Sequence, residues 1–131
     1  GELQEGQNWE AIIFAAHHKC DNLIATIDVN GQQIDGPTNQ VMGLGSLRDK
    51  FVAFGWYVLE TDGNNMEEIL KTLDTAKAAT GKGKPICILM RTVMGKGVDF
   101  MEGTHEWHGI APNDQQLEQA LAQLPETLGD Y

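Results

Sequence analysis

The chain has little cysteine, few basic residues and no long apolar run. Its 131 residues include two cysteines, nine lysines and arginines, and nineteen aspartates and glutamates, for a formal net charge of −10. Cys20 and Cys87 match no metal-binding or redox spacing, and we expect free thiols. The acidic balance argues against nucleic acid or an anionic membrane as a partner. No apolar run approaches membrane-spanning length and no signal-like segment opens the chain, so we expect a cytoplasmic protein.

What is present is an alternation of helical and strand patterns in a chain long enough for one domain. Ser46 is predicted to begin one helix, and Asn64, with Glu67 three residues on, to cap another as a capping box. Glycine-rich residues 92–112 form a predicted long loop. Apolar strands are predicted at 23–28, 56–60 and 85–91, and helices at 6–19, 46–55, 64–80 and 113–124.

Continuous apolar strands separated by helices indicate an α/β fold. The expected architecture is a parallel sheet covered by helices on both faces. Three strands are few for a sheet of this kind, which leads us to expect further strands outside this sequence.

The most informative segment is Asp28–Gly36, which follows a predicted buried strand. Open α/β sheets bind ligands at the carboxyl ends of their strands. Asn30 and Gly31 also suit a tight hairpin turn, although the residues after them make a poor partner strand. From these residues alone, a hairpin and a ligand-binding loop are equally favoured.

A glycine opens the chain shortly before the first helix, about thirty residues ahead of Asn30. Glycine lets a phosphate approach the backbone, and the amino end of a helix favours negative charge. Asparagine offers a neutral oxygen of the kind that Mg²⁺ or Ca²⁺ accepts. Together, Gly1 and Asn30 predict a site for a diphosphate and its divalent metal.

Six short motifs follow one another along nearly the whole chain. They are Glu5-Gly6 with Glu10-Ala11, Asn30-Gly31 with Ile34-Asp35-Gly36, Phe54-Gly55-Trp56, Asp62-Gly63-Asn64, Arg91-Thr92-Val93-Met94-Gly95-Lys96-Gly97, and Gly103-Thr104-His105-Glu106-Trp107-His108-Gly109. In this order they resemble transketolase, and most of all the separately encoded amino-terminal half of a bacterial split transketolase.

The resemblance implies a thiamine diphosphate-binding fold and places Gly1 at the last glycine of the family's Gly-Asp-Gly motif. The aspartate before that glycine is not in the sequence. We therefore expect residues 1–131 to be a single partial domain, the carboxyl-terminal half of the diphosphate-binding domain, and to bind cofactor weakly in isolation.

By the same resemblance, the cofactor-binding residues are Gly1, Asn30, Gln32, Ile34 and His108. Asn30 would bind the metal through its side-chain oxygen and Gln32 through its main-chain carbonyl. Ile34 would form an apolar wall against the cofactor ring, with simple core packing as the alternative.

The catalytic residues implied by the resemblance are His108, Glu5 and Glu10. His108 would reach the diphosphate and the substrate pocket, where a histidine can move protons near neutral pH. Glu5 and Glu10 would belong to a carboxylate network near a dimer axis. An acidic start to the first helix is the alternative for Glu5. His105 and His108 also have a spacing seen in zinc sites, but no cysteine or further histidine stands near them.

The activity implied is transfer of a two-carbon ketol unit from a ketose phosphate to an aldose phosphate, with the chemistry supplied by thiamine diphosphate. The expected partners are sugar phosphates, and a second copy or a second subunit that carries the pyrimidine-binding domain. Two alternatives stay open. One is another thiamine-dependent enzyme, such as deoxyxylulose phosphate synthase or dihydroxyacetone synthase. The other is a non-catalytic fragment that binds a partner.

Overall fold

The chain folds as alternating helices and strands, and the computed structural model describes residues 1–125. Single 3₁₀ turns lie at Glu2–Gln4 and Glu106–His108. The helices in this range are α1 Gly6–His17, α2 Thr38–Val41, α3 Leu47–Ala53, α4 Met66–Ala79 and α5 Asp114–Gln123, and the strands are β1 Ile24–Val29, β2 Gln32–Gln33, β3 Gly36–Pro37, β4 Tyr57–Asp62 and β5 Ile86–Arg91.

Strands β1, β5 and β4 form a parallel sheet with β5 in the centre. Ile24 of β1 and Tyr57 of β4 both stand opposite Ile86, so the three strands begin at one level. Their carboxyl ends therefore meet at one edge of the sheet, where α/β folds bind ligands. The predicted parallel sheet is confirmed.

Helices cover both faces of this sheet. Helices α1 and α3 bury Ile12 and Phe51 in a cluster that includes Cys87 and Leu89 of β5. Helix α4 packs on the opposite face, where Ala76 forms a second buried cluster with Ile86 and Ile88 of β5. Because successive residues of β5 point to opposite faces, both faces of this central strand are apolar.

The indole of Trp56 fixes the start of β4 against α1. Its Nε1–H donates to the carbonyl of Ile12 at 3.0 Å, and its ring meets Phe51 edge-on at 5.4 Å. A buried indole needs such an acceptor. Strand β4 begins at Tyr57, one residue after the predicted start at Trp56.

The predicted caps are half right. Ser46 caps α3 by accepting from the Asp49 N–H at 3.2 Å, as expected. The cap of α4 is Asn65, so the prediction of Asn64 was wrong by one residue. Asn65 Oδ1 accepts from two backbone N–H groups of the first turn. Asn64 Oδ1 instead accepts from the Val93 N–H at 2.8 Å, a tertiary partner that sequence spacing does not reveal.

The loop after β1 contains a hairpin, but its turn is not at Asn30-Gly31. Strands β2 and β3 pair with each other around Ile34 and Asp35 and not with β1, so the residues after Asn30-Gly31 form no partner strand for β1, as expected. Asn30 and Gly31 precede this hairpin at the end of β1 and remain available to a ligand.

Helix α5 begins with the capping box of Asn113 and Gln116. Within residues 1–125, no helix is long and apolar enough to cross a membrane.

Candidate functional site

A cleft of about 1010 Å³ lies at the carboxyl end of β1. One wall is the chain start from Gly1 to Glu5, and another is the loop of Asn30–Asp35. The third comes from residues 38–47, and Met94 and His108 reach in from the long loop after β5. The cleft therefore gathers Gly1, Glu5, Asn30, Gln32, Ile34 and His108, which are six of the seven predicted site residues.

Two side chains hold the wall at the chain start in place. The Trp9 indole donates to the carbonyl of Leu3 at 2.8 Å, and the Gln4 amide donates to the carbonyl of Met42 at 3.0 Å. A Cβ added to Gly1 would contact only the Gln33 side chain, at an ordinary distance of 3.5 Å. Contacts with the described residues thus do not demand a glycine at this position.

The Asn30 side chain is held at both ends of its amide. Its Nδ2–H donates to Asp28 Oδ2 at 3.0 Å, and its Oδ1 accepts from the Gln32 N–H at 2.9 Å. A carboxylate can only accept, which assigns the nitrogen to the Asp28 side. Oδ1 therefore keeps a second lone pair for another partner.

Gln32 joins the two loops that line the cleft. Its Nε2–H donates to the Gly103 carbonyl at 3.0 Å. Pro37 stands opposite Gln32 in the hairpin and has no N–H, so it cannot donate to the Gln32 main-chain carbonyl. The side-chain oxygens of Gln32 and Gln33 are buried with no hydrogen-bond partner among residues 1–125. The hairpin thus brings unused acceptor oxygens to this side of the cleft.

Ile34 and His108 are exposed at the cleft. The Ile34 side chain is 68% exposed at the tip of the hairpin, which excludes core packing. His108 ends a 3₁₀ turn anchored by Trp107, whose indole donates to the Phe100 carbonyl at 3.0 Å. His105 is half-buried at the start of that turn and does not line the cleft.

The cleft is acidic. Its described lining includes the carboxylates of Glu2, Glu5, Asp28 and Asp35, and it contains no lysine or arginine. A polyanionic ligand would be repelled here unless a cation came with it. In the range 1–125, no group of three or more His, Cys, Asp or Glu side chains is arranged to hold a metal by itself.

One predicted residue lies apart, and two residues at this edge were missed. Glu10 is exposed on α1 and does not line the cleft, so its role stays a prediction. The two missed residues are Asp28 and Thr92, which hydrogen-bond to each other, and Asp28 also accepts from Asn30. The aspartate two residues before Asn30 was visible in the sequence, but its partner lies 64 residues away.

The fold and the cleft define a class: an α/β protein with a ligand-sized cleft at the carboxyl edge of a parallel sheet. Comparison with known proteins identifies the family. Residues 1–127 match the family model described as transketolase, thiamine diphosphate binding domain. The chain belongs to this family, and both the predicted family and the predicted fold class are confirmed.

The chain is similar to subunits of split transketolases. It is 43% identical over 128 residues to a subunit of the apulose-4-phosphate transketolase of Phocaeicola vulgatus, covering 98% of this chain and 45% of that protein. It is 44% identical over 124 residues to the 6-deoxy-6-sulfo-D-fructose transketolase subunit SqwG of a Clostridium species, covering 95% and 44%. The chain thus spans less than half the length of these relatives.

The fold is similar to that of solved transketolases. The transketolase of Campylobacter jejuni superposes with a TM-score of 0.84 at 35% identity, over 94% of this chain and 19% of that one. The transketolase of Leishmania mexicana gives a TM-score of 0.83 at 32% identity, over 92% and 18%.

Proposed function

We propose that this chain forms the diphosphate-binding part of a transketolase. The complete enzyme transfers a two-carbon ketol unit from a ketose phosphate to an aldose phosphate, with thiamine diphosphate and Mg²⁺ or Ca²⁺. The observation that carries the proposal is the acidic cleft with the Asn30 amide oxygen and the Gln32 carbonyl at one wall. The two split-enzyme relatives are both subunits of transketolases, which supports it.

The donor set fits a divalent metal. Asn30 Oδ1 and the Gln32 carbonyl are neutral oxygens, which hard cations accept alongside phosphate oxygens and water. Because the ionisable side chains that line the described cleft are carboxylates and one imidazole, the metal would offset repulsion between the carboxylates and the diphosphate. An acidic ligand expected just before Gly1 would complete the protein's share.

The residues of this chain would bind and orient the cofactor. Thiamine diphosphate, when bound, supplies the nucleophilic carbon and the electron sink of ketol transfer. The Gly1 backbone would leave room for the diphosphate, and Ile34 would contact the cofactor ring. The His108 imidazole would donate to phosphate oxygens and exchange protons with the substrate.

The proposal includes assembly with other chains. Glu5 and Glu10 would join a carboxylate network at the axis of a dimer, and a second subunit would supply the pyrimidine-binding domain. The relative from Phocaeicola vulgatus is itself one subunit of a transketolase, which supports such a partner. We also propose a cytoplasmic location.

Asn30→Ala in the assembled enzyme tests the metal site. We expect cofactor affinity measured by titration calorimetry with Mg²⁺ to fall about 10–100-fold, the loss typical of an important interaction at a metal site. Asn39→Ala is the matched control, because Asn39 is exposed on α2 and does not line the cleft. Equal affinity of the two variants would overturn the assignment.

A further inference from the structure

A series of contacts joins the carboxyl ends of β4, β5 and β1. The turn after β4 makes one hydrogen bond to the last residue of β5 and one to Val93, two residues further on. The Gly63 N–H donates to the Arg91 carbonyl at 2.7 Å, and Asn64 Oδ1 accepts from the Val93 N–H at 2.8 Å. Thr92 lies between these two anchor points, so its backbone is fixed on both sides.

The Thr92 side chain is also fixed in direction. A Cβ added to Gly63 would lie 2.5 Å from the Thr92 methyl carbon and 3.0 Å from the Met90 Cβ. The methyl group of Thr92 therefore packs directly against the Gly63 backbone. Because threonine is stiff about χ1, a fixed methyl group also fixes the hydroxyl group.

Asp28 connects this hydroxyl to Asn30. Thr92 Oγ1–H donates to Asp28 Oδ1, and Asn30 Nδ2–H donates to Asp28 Oδ2 at 3.0 Å. Each carboxylate oxygen thus has its own donor. An aspartate engaged in this way is suited to orient a neighbour rather than to bind a cation itself.

We propose that Asp28 and Thr92 are positioning residues that orient the Asn30 amide, with its oxygen toward the cation. The inference rests on the proposed metal site. Asp28 holds the NH₂ end, which leaves Oδ1 on the side of Gln32 and the cleft. Without Asp28, only the Gln32 N–H would hold the amide, and the amide could turn more readily and offer its NH₂ group, which cannot bind a metal.

The test measures the Mg²⁺ requirement of cofactor binding in the assembled enzyme. Titration calorimetry with thiamine diphosphate at a series of Mg²⁺ concentrations gives the concentration for half-maximal binding. We expect Thr92→Val and Asp28→Asn to raise it about 10-fold or more. Saturating Mg²⁺ should restore cofactor affinity, and the melting temperature without cofactor should stay unchanged.

Three variants make the result specific. Thr92→Ser keeps the hydroxyl but loses the methyl group that fixes it, so its Mg²⁺ requirement should lie between those of the unaltered enzyme and Thr92→Val. Thr75→Val is the matched control, since Thr75 lies on α4 far from the cleft and bonds only within its helix. Asn30→Ala reports on the proposed site itself.

The outcomes separate the two proposals. If Thr92→Ser weakens Mg²⁺ binding as much as Thr92→Val does, the hydroxyl is not the cause and the inference is overturned. If Asp28→Asn has an effect and Thr92→Val has none, Asp28 acts without Thr92, which also overturns it. If Asn30→Ala leaves the Mg²⁺ requirement unchanged, the proposed metal site itself fails.

Discussion

The two ends of strand β5 differ in what they contribute. Ile86–Leu89 are fully buried between α1 and α3 on one face and α4 on the other. Two residues later, Arg91 is exposed and forms an ion pair with Glu60 at 2.6 Å. The next residue, Thr92, hydrogen-bonds to Asp28, which also accepts from Asn30. One strand thus supplies packing at its start and positions the candidate site at its end.

This difference separates stability from function along the sheet. Burial of apolar area at the start of β5 stabilises the fold. The polar contacts at the other end lie at the surface, where they contribute little to stability but fix the direction of side chains. Substitutions at the two ends should therefore affect different measurements.

The largest effect is expected from a substitution in the buried start of β5, compared with one at the candidate cleft. Ile88 is 2% exposed, and Ile88→Ala should lower the free energy of unfolding by about 2–5 kcal/mol because it leaves a cavity. Ile34 is 68% exposed, and Ile34→Ala should change the free energy of unfolding by less than about 0.5 kcal/mol. Urea unfolding of both variants measures this. A comparable loss for Ile34→Ala would contradict the separation.

The next comparison is between two histidines of one 3₁₀ turn. In the assembled enzyme, His108→Ala should lower turnover about 100-fold, the lower range for a group that transfers protons, because His108 lines the cleft. His105→Ala should have a smaller effect, because His105 lies outside the lining. Steady-state kinetics of both variants measures the two losses of turnover. An equal or larger loss for His105→Ala would refute the assignment.

A smaller effect distinguishes two adjacent asparagines after β4. Asn65→Ala removes the cap of α4 and should lower the free energy of unfolding by about 1 kcal/mol. Asn64→Ala should cost less than about 0.5 kcal/mol, because the exposed Val93 N–H can donate to water instead. Urea unfolding ranks the two. The reverse ranking would mean that the contact to Val93 matters more than the cap.

The smallest effect on stability at neutral pH is expected from ionisation of the Cys87 thiol, at the buried end of β5. Burial raises the pKa of this thiol from 9.0 to about 12. The folded chain thus keeps the proton while the unfolded chain loses it, and stability should fall as the pH rises from 9.0 toward 12.

At pH 8, iodoacetamide should modify the half-buried Cys20 first and Cys87 only after unfolding. Rapid modification of Cys87 in the folded chain, followed by mass spectrometry, would contradict this.

Local sequence signals predicted most of the fold. Helices α1, α3 and α5 were expected from apolar spacing and caps, and β5 from an apolar run. The errors fell where a distant partner competes with a local one. Asn64 has the spacing of a cap, but Val93 occupies its oxygen, so Asn65 caps α4 instead. The β2–β3 hairpin was missed because its strands have only two residues each.

The family resemblance brought together most of the candidate site before any geometry was known. Gly1, Asn30, Gln32, Ile34 and His108 do line one cleft. The side-chain bond from Gln32 to Gly103 could not be predicted, because 71 residues separate its partners.

By itself, the sequence determined the α/β class, the position of Asn30 after a strand, and the family. These follow from local patterns, because strand and helix periodicity and short motifs are properties of neighbouring residues. Only the tertiary structure decided how the ends of β1, β4 and β5 meet, and with them Asp28, Gly63 and Thr92. Parallel pairing places residues far apart in the chain at one sheet edge, and the hydrogen bonds between them depend on that register.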